Sequence, residues 1–315
     1  MVKIAVESEP VTGRRGKSQP AGHLASQVLA RGEGWSASEM ICSAGPHDRV
    51  FEEQHSRVCI AIVVAGSFQY RSSAGRQLMT PGSLLLGSAG QYFECGHEHG
   101  VGDRCISFAY EPEYFEGLAA ESDMRGGSAQ FHRLRVPPVR ELSWLVARAC
   151  AGVAESSGAS NRTAEWEEIG VELAARVLEI GSGKELNVGT SPATEARVTR
   201  VVRLIESRPD LDHQLDSLAR EARLSRYHFL RVFQQITGLT PHRYLLRARL
   251  RGAATRLVLE PTRVLEIALD AGFGDVSNFN RAFHAEFGVS PRSFRNSTRR
   301  SGARSLSYVP RGATV

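Results

Sequence analysis

The chain has 315 residues, 42% of them apolar and 23% charged, a globular composition long enough for about two domains. No apolar run reaches the roughly 18 residues that span a bilayer, and the N-terminus MVKIAVESEPVTGRRGKSQP shows no secretory core, a pattern that predicts a cytoplasmic protein. The net charge of +5 is split: residues 191–315 hold 21 Arg against 11 Asp and Glu, a net of +10, while the remainder is acidic at −5, which marks the C-terminal part for a polyanion partner.

Residues 1–34 read as a disordered arm rich in Gly, Ser and charge. From 35 to 136 the pattern is strand-like, with short β-branched and apolar runs punctuated by Gly, Ser and Pro-Gly. Val58 to Val64 predicts a buried strand, Ser67 to Ser72 its hairpin partner, and Ser83 to Leu86 a strand after the Pro81-Gly82 turn. Several short strands at this spacing suggest a small barrel or a jelly roll.

Within this region the string FECGHEHGVGDRCISF stands out. Cys95, His97 and His99 alternate, so on a strand they share a face, and Cys105 returns after a Gly-containing turn. Thiolate and imidazole are ligands for zinc and other soft metal ions. The set suits a metal or thiol-redox sensor; it equally suits a pocket for an organic effector, or plain core. The five cysteines, odd in number and irregularly spaced, should be mostly free thiols.

Two amphipathic helices are predicted over 137–180. Leu142, Leu145, Val146, Ala149 and Val153 recur at three and four residues, as do Trp166, Ile169, Leu173, Val177 and Ile180. One stripe should cover the barrel; the other is open to pairing with a second subunit or to more core. Residues 181–192, GSGKELNVGTSP, have linker composition.

Everything from 193 to 300 reads as helical, before a flexible tail at 301–315. A pattern occurs twice: Phe229, Arg231, Phe233, Gly238 and Pro241 match Phe279, Arg281, Phe283, Gly288 and Pro291. Each copy predicts two short helices around a tight turn, with Ser225 and Asp275 capping the second helix and Gly238 and Gly288 ending it. Helix, turn, helix is the arrangement whose second helix enters the DNA major groove. The outward face carries Arg226, Tyr227, Leu230 and Arg231 in the first copy and Ser277, Asn278 and Arg281 in the second. The plainer alternatives are internal salt bridges for the arginines, a half-buried core position for Tyr227, and first-turn positions for Ser277 and Asn278.

This tandem resembles the C-terminal DNA-binding domain of the AraC/XylS family of transcription regulators. The resemblance rests on Ile267, Ala268, Gly272 and Phe273, on the two F-x-R-x-F strings, and on the G-V-S-P-x-x-F-R ending. It implies two reading helices in adjacent major grooves of promoter DNA, with Tyr227, Leu230, Arg231, Ser277, Asn278 and Arg281 at base-reading positions. Leu230 departs from a position that is often polar; it can touch a thymine methyl but cannot hydrogen-bond a base. The family often carries an N-terminal cupin-like barrel that binds an effector and dimerises, and Gly75, Pro81 and Gly82 look like part of one. The cupin metal pattern H-x-H-x3-4-E is absent, and His47 and His55 are not so spaced. The expectation is therefore an α+β multidomain chain: a cupin-like sensor barrel with helices that form a homodimer, then an all-α tandem helix-turn-helix domain. The resemblance favours an activator that contacts RNA polymerase, although a repressor would look the same. No nucleophile elbow, Walker-type loop, H-E-x-x-H or C-x-x-C occurs, so no enzymatic activity is expected.

Overall fold

The computed structural model describes residues 24–48, 50, 52–97, 102–121, 130–155, 163–181 and 190–296. The first 23 residues of the expected arm, most of the linker, the tail and His99 lie outside the described residues.

The N-terminal domain is built on strand β4 (Val58–Gly66), whose run VCIAIVV is apolar at every position. A strand reads this way when both its faces are buried, and here they are. Val58, Ile60 and Ile62 face a core shared with helices, while Cys59, Ala61 and Val63 face a second sheet. Around β4 the strands are β1 (Leu24–Gly32), β2 (Trp35–Cys42), β3 (Glu52–Gln54), β5 (Phe68–Ser72), β6 (Gly75–Met79), β7 (Leu84–Gly87), β8 (Tyr92–Gly96), β9 (Asp103–Tyr110) and β10 (Arg135–Val136). They form a six-stranded sheet ordered β1-β2-β9-β4-β7-β10 and a four-stranded sheet ordered β3-β8-β5-β6.

Two expectations change here. The sheets stay open and face one another, so the architecture is a two-sheet sandwich rather than a closed barrel. Helices take over one face of the larger sheet, so its apolar strands are buried without closure. Residues 24–32, assigned to the disordered arm, form β1 along the edge of β2. Most of its side chains are exposed, so it lacks the buried alternation that signals a strand. The expected strands at 58–64, 67–72 and 83–86 correspond to β4, β5 and β7, and Gly82 in the intervening turn has φ +85°, which favours glycine.

Helices α1 (Pro112–Glu121), α2 (Arg140–Glu155) and α3 (Thr163–Gly181) follow the strands. The stripes Leu142, Leu145, Val146, Ala149, Val153 and Trp166, Ile169, Leu173, Val177 all pack into the core over the six-stranded sheet. Both predicted stripes are thus occupied within the chain. The Tyr110 hydroxyl donates to Gly170 O at 2.7 Å, tying β9 to α3.

The C-terminal domain comprises α4 (Pro192–Ser207), α5 (Leu215–Glu221), α6 (Arg226–Thr237), α7 (Pro241–Leu259), α8 (Val264–Asp270) and α9 (Val276–Phe287), with a last helical turn over 291–296. Its core is in two parts. One gathers α4, α5, α6 and the start of α7 around Phe229, Phe233 and Tyr244; the other gathers the rest of α7, α8 and α9 around Phe279, Phe283 and Phe294.

Candidate nucleic-acid interface and sensor site

The doubled pattern builds the same unit twice. Ser225 Oγ accepts from His228 N at 3.4 Å and opens α6; Asp275 Oδ1 accepts from Asn278 N at 2.7 Å and opens α9. Gly238 and Gly288 close those helices with φ of +80° and +74°, the left-handed cap that glycine adopts without penalty. Phe229, Phe233, Phe279 and Phe283 are fully buried. Fixing those inward faces fixes what turns outward. Arg226, Tyr227, Arg231, Ser277, Asn278 and Arg281 are all exposed, and Leu230 is half-buried. Tyr227 is 78% exposed, so it is no core aromatic. Arg226 pairs with Asp216 at 2.9 Å while its side chain stays exposed. Arg231 and Arg281 have no ion-pair partner among the described residues, so the F-x-R-x-F arginines do not serve an internal salt bridge. Gln234 and His284 extend the two faces by one more turn and are exposed. The sequence reading passed over both, although their spacing of seven from Tyr227 and Ser277 carried the signal.

The sensor string folds less simply. Strand β8 ends at Gly96, so Cys95 lies on it and His97 just past it, while Cys105 lies on β9. Cys95 and Cys105 are buried between the two sheets. Burial pushes both thiols well above the usual range, with the Asp103 carboxylate adding to the effect. Cys59 and Cys150 are pushed up to about 11 by burial. Such thiols stay protonated and unreactive at neutral pH, which weighs against direct oxidation as the signal. Among the described residues, the donor atoms that converge are those of Cys42, His97 and Asp103, all within 4.8 Å of one another. Cys42 and Asp103 were missed because they meet through strand pairing: they are register partners across β2 and β9. His55, at the other end of the sandwich, stacks on Phe93 at 4.1 Å and bonds the Tyr70 hydroxyl at 2.7 Å. Burial lowers its pKa to about 4, so it is a neutral core residue.

An AraC-like ligand binding domain matches residues 37–169, and a helix-turn-helix domain matches residues 218–297. The chain belongs to the AraC/XylS family. It is 34% identical over 103 residues to an uncharacterised HTH-type transcriptional regulator of Haemophilus influenzae, covering 33% of this chain and 35% of that protein. It is 32% identical over 157 residues to the HTH-type transcriptional activator RhaS of Salmonella agona, covering 50% of this chain and 53% of the relative. The alignments thus span about a third to a half of these relatives' own length. Among solved structures, the DNA-binding domain of AdpA in complex with a target DNA is 27% identical with a TM-score of 0.32, covering 38% of this chain and 99% of that one. Among the described residues no helix is long and apolar enough to cross a membrane.

In this AraC-family chain the N-terminal domain grips both helix-turn-helix units. Arg135, 4% exposed, donates from Nη1 to Leu78 O at 2.9 Å and to Ile236 O at 2.7 Å. It thereby links β6 to the end of the first reading helix. Leu78 also enters the apolar core of that unit, and Arg76 pairs with Glu195 on α4. A Cβ on Gly238 would stand 2.6 Å from Pro137, whereas one on Gly288 would meet nothing within 4 Å. The second unit is held through α2. Trp144 meets Phe294 edge-on at 5.0 Å, and Ala147 and Ala151 join the second core. Ser143 Oγ donates to Glu286 at 2.5 Å, and Arg247 pairs with the same carboxylate at 3.0 Å. The back of α2, opposite its sheet-facing stripe, is therefore a domain interface. Between the domains lies a cleft of about 300 Å³ lined by Arg104, Ile106, Cys150, Glu206, Arg251 and Thr255.

Proposed function

We propose that the chain is a sequence-specific, DNA-binding transcription regulator of the activator type, responsive to an effector through its N-terminal domain. The observation that carries this is the pairing of two capped reading helices whose phenylalanines are buried while Tyr227, Arg231, Asn278 and Arg281 stay exposed. In the major groove arginine donates bidentately to guanine O6 and N7, while asparagine donates to adenine N7 and accepts from its N6 amino group. Phosphates are met by the surrounding arginine-rich surface, which also steers the approach. The protein acts on double-stranded promoter DNA in the cytoplasm and contacts RNA polymerase there. An effector changes how the N-terminal domain holds the two units, and the interdomain cleft is a suitable place for an organic one. A homodimer has less support, because both helical stripes are used within the chain.

The test is selection of bound sequences from random duplexes by the purified full chain, followed by footprinting. The expected site is asymmetric, with two half-sites about one helical turn apart. Inserting about half a turn between them should remove binding to one half. Retention of random duplexes without any consensus would sink the proposal.

A further inference from the structure

Three buried donors of different chemistry meet at one end of the sandwich. Cys42, His97 and Asp103 are 3%, 4% and 5% exposed. Cys42 is the last residue of β2, and Asp103, its register partner, is the first of β9. Both belong to the six-stranded sheet. His97 follows β8 and reaches in from the four-stranded sheet. Its Nε2 lies 2.6 Å from Asp103 Oδ2, while Asp103 Oδ1 accepts from the Cys105 thiol at 3.4 Å. Ala44 N donates to Cys42 Sγ at 3.4 Å, the kind of bond that steadies a thiolate. Two glycines fix the geometry. A Cβ on Gly66 would stand 2.4 Å from Gly102 O, and one on Gly102 would stand 2.7 Å from Cys42 O. The backbone around Asp103 is thus drawn against the end of β2.

A carboxylate and an imidazole in an apolar interior are costly unless something repays their desolvation. The Cys42 thiol closes on the same pair, its sulfur within 4.8 Å of both donor atoms. We propose that Cys42 Sγ, His97 Nε2 and Asp103 Oδ2 bind a divalent cation of the zinc type. One sulfur, one nitrogen and one oxygen suit that borderline ion, and three protein ligands leave a fourth position open. Tetrahedral bonds of about 2.0–2.3 Å place donor atoms roughly 3.3–3.7 Å apart. The His97–Asp103 contact must therefore lengthen, and the wider set within 4.8 Å must close in. The ion displaces the hydrogen between His97 and Asp103, which moves to Nδ1 or to solvent, and the Cys42 thiol proton goes to solvent. Cys105 orients the bound carboxylate through its other oxygen, and the apolar shell around the cluster excludes water.

The site draws its ligands from both sheets, so the ion would clamp one sheet to the other. From β8 the smaller sheet runs through β5 to β6. The β6 edge carries Arg76 and Leu78, the contacts to the first reading unit. Metal occupancy would thus set the position of the strand on which that unit leans. This consequence rests on the regulator reading; the binding itself does not.

The experiment uses the purified full chain, stripped by a chelator and titrated with Zn(II) alone in competition with a chromophoric chelator. Co(II) then serves as a spectroscopic probe. One equivalent should bind with about micromolar affinity or tighter, and Co(II) should give a thiolate-to-cobalt charge-transfer band. Cys42→Ser should abolish that band. Cys42→Ser, His97→Gln and Asp103→Asn should each weaken Zn(II) binding by at least about a hundredfold, more than loss of an outer-shell partner typically does. Cys150→Ser should change neither. No stoichiometric uptake by the wild type, no thiolate band in its Co(II) form, or a band that survives Cys42→Ser but not Cys95→Ser would overturn the site. The wild-type spectrum decides the matter even where a variant fails to fold. Because no DNA is present, failure here is separate from failure of the DNA selection.

Discussion

The two helix-turn-helix units share a skeleton and differ in almost everything attached to it. Both bury the two phenylalanines of F-x-R-x-F, both cap their reading helix with a side-chain oxygen, and both end it at a left-handed glycine. The first presents a tyrosine, a half-buried leucine and an arginine; the second presents serine, asparagine and arginine. The first is tied to the N-terminal domain by Arg135 bridging two backbone carbonyls. The second is tied by an aromatic edge contact and by Glu286, shared between Ser143 and Arg247. A repeat thus conserves what folds it, and is free to vary what it reads and what holds it.

The largest expected effect should be the same in both units. Phe233→Ala and Phe283→Ala should each lower stability by about 3–5 kcal/mol through the cavity they leave. A gap between them in urea unfolding greater than roughly 1 kcal/mol would break the structural equivalence. The next effect should be one-sided. Arg135→Ala should cost about 3 kcal/mol, because charge-assisted bonds to two carbonyls are lost, and hydrogen exchange should rise in α6 ahead of α9. Equal deprotection of both helices would show that the two grips are not independent. On DNA, Arg231→Ala and Arg281→Ala should each lose about 1–3 kcal/mol of affinity and relax base preference in one half-site only, read by binding to duplexes mutated half by half. The smallest effect separates the caps. Ser225→Ala and Asp275→Ala should each cost about 1 kcal/mol, with Asp275 the more costly because its bond is 2.7 Å rather than 3.4 Å. Thermal melts of the two variants test that order.

The tandem was legible in the sequence because its signals are local. Caps, terminal glycines and phenylalanines four residues apart all act within a dozen residues. The strand β4 was legible for the same reason. What escaped depends on partners distant in the chain. Strand β1 is defined by its neighbour, since its own side chains are mostly exposed. Closure of the expected barrel depends on what covers the larger sheet, and helices cover it. In the sensor string, alternation picked out Cys95 and His97, but the atoms that converge on His97 come from Cys42 and Asp103, joined by strand register. The second face of α2 was hidden because Trp144, Ala147 and Ala151 gain their meaning only from the domain they touch.

The glycine that ends each reading helix shows how far the two copies have parted. Gly288 needs only its backbone angle, so asparagine, which tolerates the left-handed region, can take its place. Gly238 needs that angle and also the missing side chain, because Pro137 occupies the space where a Cβ would go. Two letters that look identical in the repeat therefore differ in their freedom to drift: one position admits a substitute, and the other is locked by a residue a hundred places upstream.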